Sequence, residues 1–137
     1  MNTAIDQAVQ VRLIATTFGP HAVPAVLHYQ PADPLAVRMF FPPEISLDGA
    51  AVDWAFAREL LDEGMRRPVG RGDVRVRPSG PDRTVMEFHA EEGVALVQLK
   101  TADVQLFLAR SYEAVPAGGE PAHLGMERGL AELFGTA

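Results

Sequence analysis

DWAFARELLDEGMRRPVGRGDVRV, residues 53–76, changes its hydrophobic period twice, and those changes decide the fold. Trp54 and Phe56 alternate with Ala55 and Ala57, and with Val52 before them they make one apolar face of a strand over VDWAFA. From Arg58 the period lengthens. Leu60, Leu61 and Met65 gather on one side of a short helix, and Glu59, Asp62 and Glu63 occupy its wet side. Gly64 and Pro68 mark its end, because glycine is favoured just past a helix and proline cannot continue one. DVRVR then alternates again, so the glycines of GRGD at 70–73 leave a helix and enter a strand. A dinucleotide site needs the reverse order, with glycines opening a helix whose N-terminus meets phosphate. GRGD therefore reads as a tight helix-to-strand connection.

Upstream, Val9, Val11 and Leu13 share a face over a strand from about 8 to 16. In AVPAVLHYQ, Ala25, Leu27 and Tyr29 alternate with Val26, His28 and Gln30, and Pro24 predicts an edge position or a strand start. LAVRMFF is a third strand. Downstream, TVMEFHA and VALVQLK read as strands, and Thr101 is placed to N-cap a helix with Val104, Phe107 and Leu108 as its apolar stripe. VPAGGEP reads as a plain loop. A last amphipathic helix, at about 125–134, carries Met126, Leu130, Leu133 and Phe134 on one side. The expected organisation is one domain over 1–137: a ββββα half at about 8–66, a βββα half at about 72–114, and the C-terminal helix.

Packing must supply the stability, because the 137 residues include no cysteine and so no disulfide or thiolate zinc site. MNTAIDQAVQ lacks a basic start and a long apolar run, and no segment approaches the ~20 apolar residues of a membrane span. A soluble cytoplasmic protein is expected. The net charge of −6 disfavours broad affinity for polyanions, although the distribution is uneven. Arg66, Arg67, Arg71, Arg75, Arg77 and Arg83 are opposed between 66 and 83 only by Asp73 and Asp82, so this segment is +4 and the remainder −10.

No catalytic constellation stands out. His21, His28, His89 and His123 are scattered, no hydrolase, zincin or P-loop motif occurs, and no cofactor or metal is expected. The carboxylate pairs Asp62-Glu63 and Glu91-Glu92 read as solvated charge on a helix face and at a turn. Asp62 with Arg66 and Glu63 with Arg67 have the i, i+4 spacing of helical ion pairs. Arg75 and Arg77 share the face of a strand opposite Val74 and Val76. Arg66, Arg67, Arg71, Arg75 and Arg77 thus form the candidate surface, read as a solvated face, a protein-partner surface or an anion or nucleic-acid site.

The residues DPLAV at 33–37, VDWAFARELLDEGMRRPVGRGDVRV at 52–76 and PS at 78–79 resemble the SsgA-like family of actinobacterial sporulation and cell-division proteins. The matching signature runs through Asp53, Trp54, Phe56, Arg58, Leu60, Leu61, Gly64, Pro68, Gly70, Gly72 and Asp73, read as structural. FFPPEISLDGAA departs from the family by its length and prolines, and the second half matches mainly in pattern. The resemblance implies an α+β fold of Whirly type, with an antiparallel sheet and packed helices, assembled as a homotrimer. It implies no enzyme activity. It further implies an adaptor role in septum placement, one branch of the family recruiting the tubulin-like division protein FtsZ with a sister SsgA-like protein and others being linked to peptidoglycan remodelling and spore separation. The competing reading is a single-stranded nucleic-acid binder, which the fold analogy and the arginines suggest and the net charge disfavours.

Overall fold

The computed structural model describes residues 4–14, 21–42, 52–91 and 93–121. Seven strands and two helices follow the order β1 (Ile5–Leu13), β2 (His21–Tyr29), β3 (Ala36–Phe41), β4 (Val52–Ala57), α1 (Arg58–Gly64), β5 (Val74–Ser79), β6 (Arg83–Ala90), β7 (Gly93–Lys100) and α2 (Thr101–Ala114). The strands form one sheet in the order β4-β3-β2-β1-β7-β6-β5. Every pairing is antiparallel. Two meanders, β1 to β4 and β5 to β7, therefore meet along β1 and β7. The class is α+β, as the period changes predict.

Alternation sets which face is buried. Val9, Val11 and Leu13 of β1 are buried beside Val23, Ala25, Leu27 and Tyr29 of β2 and Val37, Met39 and Phe41 of β3. The same period buries Val74 and Val76 and leaves Arg75 exposed. The sheet curls so that its two ends approach across this apolar face. Phe88 of β6 meets Phe41 at 5.6 Å, Trp54 at 5.1 Å and Phe56 at 6.5 Å between ring centroids. Trp54 is half-buried in this cluster, whereas Phe56 is buried. Two edge strands, β4 and β5, are joined through α1, and Val104, Phe107 and Leu108 of α2 enter the core as the stripe predicts.

Several local expectations are corrected. β1 begins at Ile5 and ends at Leu13. β2 is interior, so Pro24 does not mark an edge strand. β3 pairs with β2 only over Val26–His28, beyond the proline, so no N–H is required at residue 24 on the β3 side. Gly64 is the last residue of α1, not a residue past it. A Cβ there would lie 2.2 Å from Val76 Cγ1, so glycine is required by the approach of β5. Lys100, not Thr101, is the N-cap of α2. The Thr101 hydroxyl is instead hydrogen-bonded to Thr84 Oγ1 at 2.9 Å, and its N–H donates to the Asp82 carbonyl at 3.0 Å. The helix expected at about 125–134 lies outside the described residues.

Candidate functional site

The joint between β4 and β5 places one arginine in the interior and a group of arginines at the surface, at opposite ends of α1. Arg58 opens the helix. The alternation of β4 turns the exposed Ala57 outward and the next side chain inward, and Arg58 is only 2% exposed. Its backbone N–H donates to Leu35 O at 2.8 Å. One guanidinium nitrogen, Nη1, donates to Ser111 O at 3.1 Å and Val115 O at 2.8 Å, while Nη2 reaches Glu120 Oε2 at 2.7 Å. The same group lies over the rings of Tyr29, at 4.8 Å, and Tyr112, at 4.3 Å.

A buried charge is stable only when it is paired and its hydrogen bonds are made. Here the carbonyls at the end of α2 and one carboxylate meet both needs. Arg58 thereby ties α1, α2 and the chain leaving α2 into one unit. Hydrogen bonding from Arg58 holds the Glu120 carboxyl below its ordinary range, with backbone N–H donation, including Gly118 N–H at 2.8 Å, acting in the same direction. Burial is the main cause that raises the Tyr112 hydroxyl, and its 2.6 Å hydrogen bond to Asp62 adds to it. Tyr29 is raised by burial too, and its hydroxyl donates to Pro34 O at 2.9 Å. VPAGGEP is thus more than a plain loop, because Glu120 within it supplies the counter-charge.

At the other end of α1 the chain doubles back. Val69 pairs with Val76 through two hydrogen bonds, 2.8 and 2.9 Å, and covers part of the free edge of β5. Gly70 makes this possible at φ 114, and a Cβ would lie 2.7 Å from Val74 O. A Cβ on Gly72 would meet nothing within 4 Å. The Asp73 carbonyl accepts from His89 N–H at 2.7 Å and fixes the connection to β6.

A groove results, lined by Arg67, Arg71, Arg75, Arg77 and Glu87 with the 68–70 backbone beside them. Of the five candidate arginines, the fold brings four together here, and Arg66 stands outside the lining. Arg66 pairs with Asp62 at 3.1 Å and Arg67 with Glu63 at 2.7 Å, both at the predicted i, i+4 spacing. Arg77 pairs with Glu87, which also accepts from His89 at 3.1 Å. Arg75 donates to Gly72 O at 3.4 Å. Among the described residues, no carboxylate pairs with Arg71 or Arg75. These two are the groove's uncompensated charges.

The family model for the Streptomyces sporulation and cell division protein SsgA matches residues 23–120, from β2 to the Glu120 that holds Arg58. The chain belongs to the SsgA family. SsgA-family relatives align along almost its whole length: the sporulation-specific cell division protein SsgB of Streptomyces coelicolor is 37% identical over 139 residues, covering 98% of each chain. SsgB of Thermobifida fusca is 38% identical over 133 residues, covering 95% of this chain and 94% of the relative. The solved SsgA-like sporulation-specific cell division protein of Thermobifida fusca superposes with a TM-score of 0.84 at 36% identity over 96% of each chain. A second solved structure, concerning SsgB mutations and longitudinal cell division during sporulation of Streptomyces coelicolor, gives 0.78 at 37% identity, covering 90% and 97%.

The SsgA-family signature noted in the sequence is spread through this joint. Asp53 is exposed and pairs with Arg38 at 3.0 Å; Trp54 and Phe56 pack on Phe88; Leu61 is fully buried and Leu60 partly so. Gly64 and Gly70 answer to close contacts, whereas Pro68 and Gly72 are exposed. Sequence reasoning placed Arg58 in the signature without a partner and missed Glu120 altogether. The signal available was a charged residue at the point where a buried strand face turns into a helix.

Proposed function

We propose that this chain is a non-catalytic adaptor in sporulation-associated cell division, docking division proteins at the septum. The observation that carries this reading is near full-length similarity to a sporulation-specific cell division protein, 37% identical over 98% of both chains. The partners proposed are FtsZ and sister SsgA-like proteins. The contact surface proposed is the groove at Arg71 and Arg75, whose uncompensated charge suits an acidic segment of a partner. A homotrimer would present this groove three times, and a weak contact to a polymer would then gain avidity from geometry alone.

Trp54 and Phe56 pack inside the curl and are not displayed beside the arginines, which disfavours base stacking and with it the single-stranded nucleic-acid reading. The test is co-sedimentation of the purified chain with polymerised FtsZ, with and without the sister protein. Pelleting is expected to fall several-fold for Arg71→Ala/Arg75→Ala and to weaken with salt. Absence of pelleting with either partner, together with normal septation in a deletion strain, would overturn the adaptor reading.

A further inference from the structure

A second basic site lies on the outer face of the sheet, along the line where the two meanders join. The β1–β7 ladder holds two residue pairs, Arg12 with Gln98 and Leu13 with Val97. Beyond it, toward Gln10 and Lys100, the two strands part. On the inner side α2 seals the parting: Gln7 Nε2 donates to Asp103 O at 2.9 Å and Arg110 donates to Gln7 Oε1 at 3.3 Å. On the outer side the parting leaves a groove of about 340 Å³ lined by Gln10, Arg12, Ala22, Arg83, Gln98 and Lys100.

Register concentrates charge in this groove. Arg83 stands directly opposite Lys100, and Arg12 opposite Gln98, two residues along β7 on the same face. Arg12 is therefore the diagonal neighbour of Lys100. Like charges directly across a ladder are destabilising, and diagonal neighbours remain within reach of long side chains. Arg83 has Asp82 beside it, at 3.3 Å, but that carboxylate is 75% exposed and, among the described residues, is the single acidic partner. Among the described residues, Arg12 and Lys100 form no ion pair.

We propose that this groove binds a phosphate group of a small ligand. Arg12, Arg83 and Lys100 supply the charge, and the amides of Gln10 and Gln98 supply further donors. A phosphate dianion offers two charges and at least three acceptor oxygens, and arginine forks match it in pairs. One carboxylate would leave most of the cation set uncompensated. The site is separate from the Arg71 and Arg75 groove and does not depend on the adaptor reading.

The test is a backbone-amide NMR titration of the full-length labelled chain with inorganic phosphate, ionic strength being held constant with sodium chloride. Saturable shifts are expected at Gln10 to Arg12, Arg83 and Gln98 to Thr101. Arg12→Gln/Lys100→Gln is expected to weaken binding by about tenfold per cation removed, whereas Arg71→Gln/Arg75→Gln leaves it intact. Both pairs are exposed, so unshifted core resonances will report an intact fold. Pyrophosphate binding tighter than phosphate would support a di- or triphosphate ligand; equal binding would support a monophosphate. Shifts that do not saturate, that centre on Arg71 and Arg75, that survive Arg12→Gln/Lys100→Gln, or that acetate reproduces would each overturn the proposal.

Discussion

Replacing Arg58 with lysine keeps the charge and removes the fork. The guanidinium serves the Ser111 carbonyl, the Val115 carbonyl and Glu120 from two nitrogens while its flat face rests on Tyr29 and Tyr112. A single ammonium cannot hold that spread, so one buried carbonyl or the carboxylate loses its partner. Each unsatisfied buried group costs about 1–3 kcal/mol, and breaking a buried pair costs about 3–5 kcal/mol in total. We expect Arg58→Lys to destabilise by about 3 kcal/mol or more, and Arg58→Ala further, through the added loss of packing. For a domain of this size that is a fall in Tm of about 10 °C. The assay is urea unfolding followed by the fluorescence of Trp54, the single tryptophan, with Cm and slope fitted together. Arg67→Lys is the control: its side chain is 70% exposed, and its ion pair is an ordinary surface contact. A loss below about 1 kcal/mol for Arg58→Lys at unchanged slope would refute the claim that this residue locks α1 to α2.

Gly64→Ala should destabilise by at least about 1–3 kcal/mol, because its Cβ would meet Val76, whereas Gly72→Ala should be neutral or slightly stabilising; urea midpoints compare the two. Glu120 is held below its ordinary value of 4.5, so its contribution is present above that pH and is lost as pH falls through the folded value; Glu120→Gln should flatten the acid limb of a Cm-versus-pH curve. Tyr29 and Tyr112 are raised above 10.0, so the neutral hydroxyls favour the folded state; stability should fall as pH rises above about 10, and Tyr112→Phe should reduce that fall. Thr84→Val removes a buried hydroxyl that meets Thr101, and about 1 kcal/mol should be lost in the same unfolding assay.

Much of the fold was legible because strand and helix periods are local. The alternation in VDWAFA and DVRVR, and the stripe of Val104, Phe107 and Leu108, needed no knowledge of neighbours. Capping and edge assignments fared worse for a shared reason. Gly64, Pro24 and Thr101 each have a familiar local use, and in each case a contact distant in sequence decided otherwise: Val76 for Gly64, the late onset of β3 pairing for Pro24, and Thr84 for Thr101. Of the candidate arginines, the i, i+4 pairs were legible from spacing alone. Which charges stay unpaired was not, since Arg77 finds Glu87 on β6.

By itself, then, the sequence determined the types of the described elements, the apolar faces of β1, β4 and β5, the helical ion pairs and the family, all of which depend on residue identity within a short window. Tertiary structure decided that a curled sheet brings Phe88 onto Phe41, Trp54 and Phe56, that Arg58 is neutralised by Glu120 across 62 residues, and that Arg12, Arg83 and Lys100 gather where two meanders part. The physical reason is that charge pairing and burial depend on distance in space. Local pattern fixes which way a side chain points, and strand register fixes what it meets.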